Sequence, residues 1–225
     1  MLLVALIVLV VLLAGAVLVM GLLWPSSVAG GAVSLLRDLK SGALKATEPA
    51  TYRVTAVFLW GQGSGGAAPD AAHWSAPVVT FGKAPLGLTA VGDKAGDGLK
   101  QLAETGETKS FKADAYAAGG TTCVELSKTS KSHGSVEKGG IQVAAGERHA
   151  TLTSMMAPSP DWFVHADADL VDADGHWRNI VVASLSLFDA GTKADTGGAA
   201  TPSGVIAEKT VGGAREFGFA YFVRE

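Results

Sequence analysis

Cysteine is all but missing from this chain: Cys123 is the single one in 225 residues. An intrachain disulfide is therefore impossible, and so is a metal cluster built on cysteine. Charge is scarce too, at 17% of residues, with a formal net charge of -3. That leaves no concentrated basic surface for phosphate contacts and argues against nucleic acid as a partner. No internal repeat is visible. The five histidines show none of the paired helical spacing that a zinc-binding helix needs. Gly61 to Gly66 satisfies G-x-G-x-x-G, but Pro69 follows where the phosphate site needs a helix, so it is not a nucleotide loop.

What is present starts with a long apolar run. Leu2 to Leu23 are apolar or glycine throughout, and no charged side chain occurs before Arg37. As a helix the run would reach roughly 33 Å, enough for a hydrocarbon core of about 30 Å. Trp24 and Pro25 follow, an interfacial aromatic and then a helix stop. Two readings stand: an uncleaved transmembrane anchor, or a signal segment cut near Val28-Ala29-Gly30. The length of the run and its lack of a basic start favour the anchor. Arg37, Lys40 and Lys45 just after the run pull the other way on orientation, but long domains translocate despite such charges. The expected organisation is residues 1–24 as anchor or signal, 25–49 as tether and 50–225 as one folded domain. The expected location is membrane-anchored and facing outside the cytoplasm, or secreted or periplasmic if the segment is cleaved.

From Thr51 onward the pattern is mostly β. Tyr52, Val54, Ala56, Phe58 and Trp60 alternate with Arg53 and Thr55, which predicts a strand with one buried face. Further strands are predicted at Pro77–Phe81, Thr122–Leu126, Ile141–Ala145 and His149–Met155. Ser127–Gly140 is polar and reads as an exposed loop. Ala95–Thr105 carries Leu99, Leu102 and Ala103 at helical spacing and is closed by Gly106. The 29 glycines and the frequent turns fit an all-β antiparallel sandwich with one short helix.

Residues 157–197 are the most informative. Trp162–Leu170 predicts a strand with His165, Asp167 and Asp169 on a solvated face. Asp172-Ala173-Asp174-Gly175 predicts a tight turn, and Trp177–Phe188 the return strand. That hairpin brings Asp161 and Asp189 to the same level, where directly paired β-carbons are about 5 Å apart. Two carboxylates so placed repel unless a cation sits between them, and calcium suits irregular loop ends. Ordinary turn chemistry explains the same residues, and a one-residue slip would turn the carboxylates apart. Glu104 and Asp161 have the chemistry of an acid–base pair, but nothing in their spacing places them together.

These segments carry a family resemblance. Met155-Met156-Ala157-Pro158-Ser159-Pro160-Asp161-Trp162-Phe163-Val164 resembles the M-x-x-P-S-P-D-W-x-V signature of the spondin N-terminal domain. Gly175-His176-Trp177, Phe188-Asp189-Ala190-Gly191-Thr192, His73-Trp74-Ser75-Ala76-Pro77 and the stretch Ala95 to Gly106 resemble further elements of it, in family order. The resemblance implies a C2-like antiparallel β-sandwich outside the cytoplasm, with calcium at one end and a role in adhesion or recognition. Two calcium ligands carry over as Asp161 and Asp189. The third family position is Lys193 here, with Asp195 two residues on as the substitute ligand; failing that, Lys193 itself would neutralise the aspartates. The expected function is therefore a non-enzymatic adhesion or ligand-binding module for an extracellular protein or glycan. The alternatives are a metal-dependent hydrolase at the same acidic end and calcium-dependent binding to a lipid surface.

Overall fold

The computed structural model describes residues 44–62, 66–129, 131–195 and 202–225. The anchor or signal segment and most of the tether lie outside the described residues. Among those that are described, no helix is long and apolar enough to cross a membrane.

Strands β1 (Ala50–Leu59), β2 (His73–Trp74), β3 (Val78–Gly82), β4 (Gly120–Glu125), β5 (His133–Val143), β6 (His149–Ala157), β7 (Trp162–Asp169), β8 (Ile180–Asp189), β9 (Ala207–Glu208) and β10 (Glu216–Arg224) form one antiparallel sheet system. Eight of them run in the order β4-β3-β6-β7-β8-β10-β1-β5, with β2 on β6 and β9 on β8. The sheet folds over into a barrel-like sandwich, so β1 faces the β6–β8 half across one core. Tyr52, Val54, Ala56 and Phe58 from β1 meet Leu152, Val164, Leu187 and Phe222 there. The alternation read in β1 is what this requires: every second residue is buried. Aromatic packing fills the interior, with Phe58 stacked on Trp74 at 4.5 Å between ring centroids.

Two helices rather than one accompany the sheet: α1 (Asp97–Thr105) and α2 (Lys109–Ala117). α1 ends as expected, with Gly106 left-handed at φ 76° and its N–H on the Leu102 carbonyl. α2 buries only Phe111 and Ala115, one turn apart, too thin a stripe to stand out in the sequence. The helices touch at Gly98, whose N–H donates to Asp114 Oδ2 at 2.9 Å. A β-carbon there would lie 2.7 Å from the Phe111 backbone. This pair covers the outer face of the sheet, making a second cluster from Leu99, Leu102, Phe111, Phe163, Phe188 and Ile206.

That cover corrects the expected solvated face of β7. His165 is 8% exposed: Nδ1 meets the Thr153 hydroxyl at 2.9 Å, and Nε2 meets Thr89 and Asp167 at 3.1 Å each. Asp167 and Asp169 do stay exposed. The expected loop at 127–140 is also corrected, because β5 occupies much of it. β5 is an edge strand held by β1, so backbone pairing stabilises it while its polar side chains face water. Finally, residues 44–49 of the expected tether pack on the body. Leu44 accepts from the Trp177 N–H at 2.8 Å, and Ala46 donates to the Gly175 carbonyl at 2.9 Å. The chain thus comes into the body beside the β7–β8 turn.

Candidate acidic site

The site lies at the base of the β7–β8 hairpin, opposite its turn. Ser159 prepares the start of β7: its hydroxyl accepts the Trp162 N–H at 3.0 Å and donates to the Met156 carbonyl. Asp161 sits just before β7 and is fully buried. The register pairs Trp162, not Asp161, with Asp189, so the pairing is one residue off the one expected from the sequence. Asp161 instead faces the turn after β8, and its carbonyl accepts from Ala190 at 3.1 Å.

That turn folds around the Asp161 carboxylate. Oδ2 accepts the N–H of Thr192 at 2.6 Å, the N–H of Lys193 at 2.9 Å and the Thr192 hydroxyl at 3.0 Å. Oδ1 is buried with no hydrogen-bond partner. Burial pushes the Asp161 carboxyl above its ordinary range; the donors from Lys193 and Thr192 pull it back, and the negative charge of Asp189 adds to the rise. Asp189 shapes the turn itself, with Oδ1 accepting the Gly191 N–H at 2.7 Å.

Lysine, not a fourth acid, dominates the other side. Lys209 follows β9, and its Nζ contacts Asp195 Oδ2, lies 3.3 Å from Asp189 Oδ2 and stands 4.7 Å from the centre of the Trp162 ring. The Trp162 indole N–H donates to Asp195 Oδ1 at 2.8 Å. Burial works against the charges of Asp195 and Lys209, but their hydrogen bond wins: Asp195 is held below the carboxylate range and Lys209 above the usual lysine value.

Asp161, Asp189 and Asp195 thus belong to one end of the molecule, as expected, but they do not surround one point. Lys193 turns aside and pairs with Glu104 of α1 at 3.1 Å. Glu104 and Asp161, which sequence spacing did not bring together, both meet the turn after β8: Thr192 donates to Asp161, and the next residue, Lys193, pairs with Glu104. Glu104 Oε1 is buried without a partner, like Asp161 Oδ1. Spacing held no sign of Lys209, which lies 48 residues beyond Asp161.

Among the described residues, no group of three His, Cys, Asp or Glu side chains is gathered to hold a metal ion. Calcium needs six to eight oxygens at about 2.3–2.6 Å. Asp161 Oδ2 is already saturated by protein donors, and an ammonium bridges Asp189 and Asp195. As they stand, the three aspartates do not form a calcium cradle.

A barrel-like β-sandwich whose two hairpin-base turns are sewn together by one buried carboxylate, Asp161, is the class of module this fold and site define. The chain belongs to the spondin N-terminal domain family: the model of that family, Spondin_N, matches residues 50–213. The family is one of extracellular-type, non-enzymatic domains. The match runs through both acidic turns and through Lys209. A comparison with curated proteins returned no match.

Proposed function

We propose that the protein is a non-enzymatic adhesion or ligand-binding module, displayed outside the cytoplasm and tethered through its apolar N-terminal run. The observation that carries this reading is the family match, which spans most of the folded body. The Asp161–Asp189–Asp195 end is the proposed contact surface for an extracellular protein or glycan, because its loops are fixed by hydrogen bonds to the buried Asp161 carboxylate yet keep Asp195 partly exposed. Calcium enters this reading only by displacing Lys209.

The hydrolase reading asks for a histidine or a second carboxylate aimed at substrate beside Asp161. The partners of Asp161 and Asp189 are backbone N–H groups, Thr192 and Lys209, which position a turn rather than activate water. The lipid reading asks for free basic loop tips, whereas Lys193 and Lys209 are both paired with carboxylates.

The test uses intact cells carrying the full chain. Externally added protease should cut the body, and those cells should be retained on surfaces coated with matrix proteins or glycans more than cells lacking the chain. Asp195→Ala should reduce that retention. Protection from protease in intact cells, or no gain in retention across the coated panel, overturns the proposal.

A further inference from the structure

The counter-charge at the acidic end does not come from where the sequence puts its nearest lysine. Lys193 follows the turn but is spent on Glu104. The cation facing Asp189 and Asp195 arrives from a different segment, after β9.

We infer that the Lys209 ammonium is the resident counter-ion of this domain: it takes the place of a calcium ion between Asp189 and Asp195, so the acidic end assembles without a divalent metal. Four observations bear on this. An ammonium has three N–H donors and no acceptor, and two carboxylates plus an aromatic face are a set that satisfies it. Here those are Asp195 Oδ2, Asp189 Oδ2 at 3.3 Å and the Trp162 ring at 4.7 Å. Second, the Trp162 indole N–H fixes the far oxygen of Asp195, so the ring and the carboxylate hold each other in place around the ammonium. Third, the lysine is delivered rigidly. Its own N–H bonds to the Leu187 carbonyl at 3.1 Å, directly after β9 pairs with Phe188 and Asp189. Fourth, its side chain is only 20% exposed, so its charge is poorly screened by water.

The two kinds of cation have different physical consequences. A bound ion stabilises by an amount that grows with the logarithm of its free concentration, and a chelator removes it. A lysine is always present at unit stoichiometry. The domain should therefore be indifferent to calcium and to chelator, and sensitive to the loss of one side chain that lies 14 residues beyond Asp195.

The experiment follows thermal unfolding of the full chain in detergent by circular dichroism, with millimolar calcium or excess chelator, alongside calorimetric titration with calcium. The wild type should melt at the same temperature in both and show no calcium uptake. Lys209→Met should melt roughly 2–4 °C lower. Lys209→Arg, which keeps the charge, should recover most of that loss. A wild-type melting temperature that rises with calcium or falls with chelator overturns the inference, as does a Lys209→Met variant that melts like the wild type. If Lys209→Met does not fold, the wild-type titration and Lys209→Arg decide the matter. None of these readouts uses ligand binding, so the functional reading above stands or falls separately.

Discussion

The two ends of the β7–β8 hairpin are both rich in aspartate and are built on opposite principles. At the tip, Asp172 Oδ1 accepts the N–H of Asp174 at 3.0 Å and of His176 at 2.8 Å, within five consecutive residues. At the base, Asp161 accepts from residues 31 and 32 positions away, and Asp195 and Asp189 take their cation from Lys209. The tip is a local turn that water also solvates. The base is a tertiary knot, in which each carboxylate depends on another segment being folded already. Acidic side chains are cheap to place when their partners are sequence neighbours and exposed. They become determinants of the fold when they are buried and their partners are remote.

This contrast can be broken in four ways. The largest effect should come from glycine. Gly191 at the base has φ 68°, and a β-carbon there would stand 2.3 Å from the Val205 carbonyl oxygen. Gly191→Ala should cost about 4 kcal/mol in denaturant unfolding. Gly175 at the tip has φ 82° but nothing within 4 Å, so Gly175→Ala should cost only about 1 kcal/mol of left-handed strain. Equal losses would mean that the base is no tighter than the tip.

Next is Asp161→Ala, which removes the acceptor of the Thr192 and Lys193 N–H groups and should cost about 3 kcal/mol by the same measurement. A loss below about 1 kcal/mol would show that the turn holds without its carboxylate. Smaller again is Trp162→Phe. It keeps an aromatic face under Lys209 but removes the donor to Asp195, for about 1 kcal/mol.

The smallest effect is one of sign. Burial raises the Asp161 carboxyl, whereas the His176 and Asp174 N–H groups lower that of Asp172. A raised carboxyl stabilises fully below the unfolded value of about 3.9 and loses that contribution as pH rises through its folded value. A lowered one contributes above about 3.9 and loses it as pH falls through its folded value. Stability measured against Asp161→Asn should therefore improve for the wild type on acidification, and against Asp172→Asn it should worsen. Slopes of the same sign would overturn the contrast in environment.

The same contrast explains what could be read from the residues alone. The tip turn, the alternation of β1, the end of α1 at Gly106 and the family elements all rest on neighbours in sequence, and all are where they were expected. α2 escapes notice because Phe111 and Ala115 mark too few turns. β5 escapes it because an edge strand with polar side chains is stabilised by its partner's backbone. The face holding His165 reads as solvated because nothing in β7 announces that residues 83–91 and two helices will cover it. At the base, the acids are legible as residues, but the one-residue register shift and Lys209 are not. Both depend on how β8, β9 and the turn after β8 meet in space.

The place where Leu44 and Ala46 join the body gains a mechanical meaning from this layout. They dock beside Gly175 and Trp177, whereas the acidic knot lies at the far end of the same hairpin, about 25–30 Å away along its strands. A pull between residue 44 and a ligand gripped at the knot would run parallel to β7 and β8. The interstrand hydrogen bonds would then bear the load together as a shear, rather than open singly from one end as a zipper does.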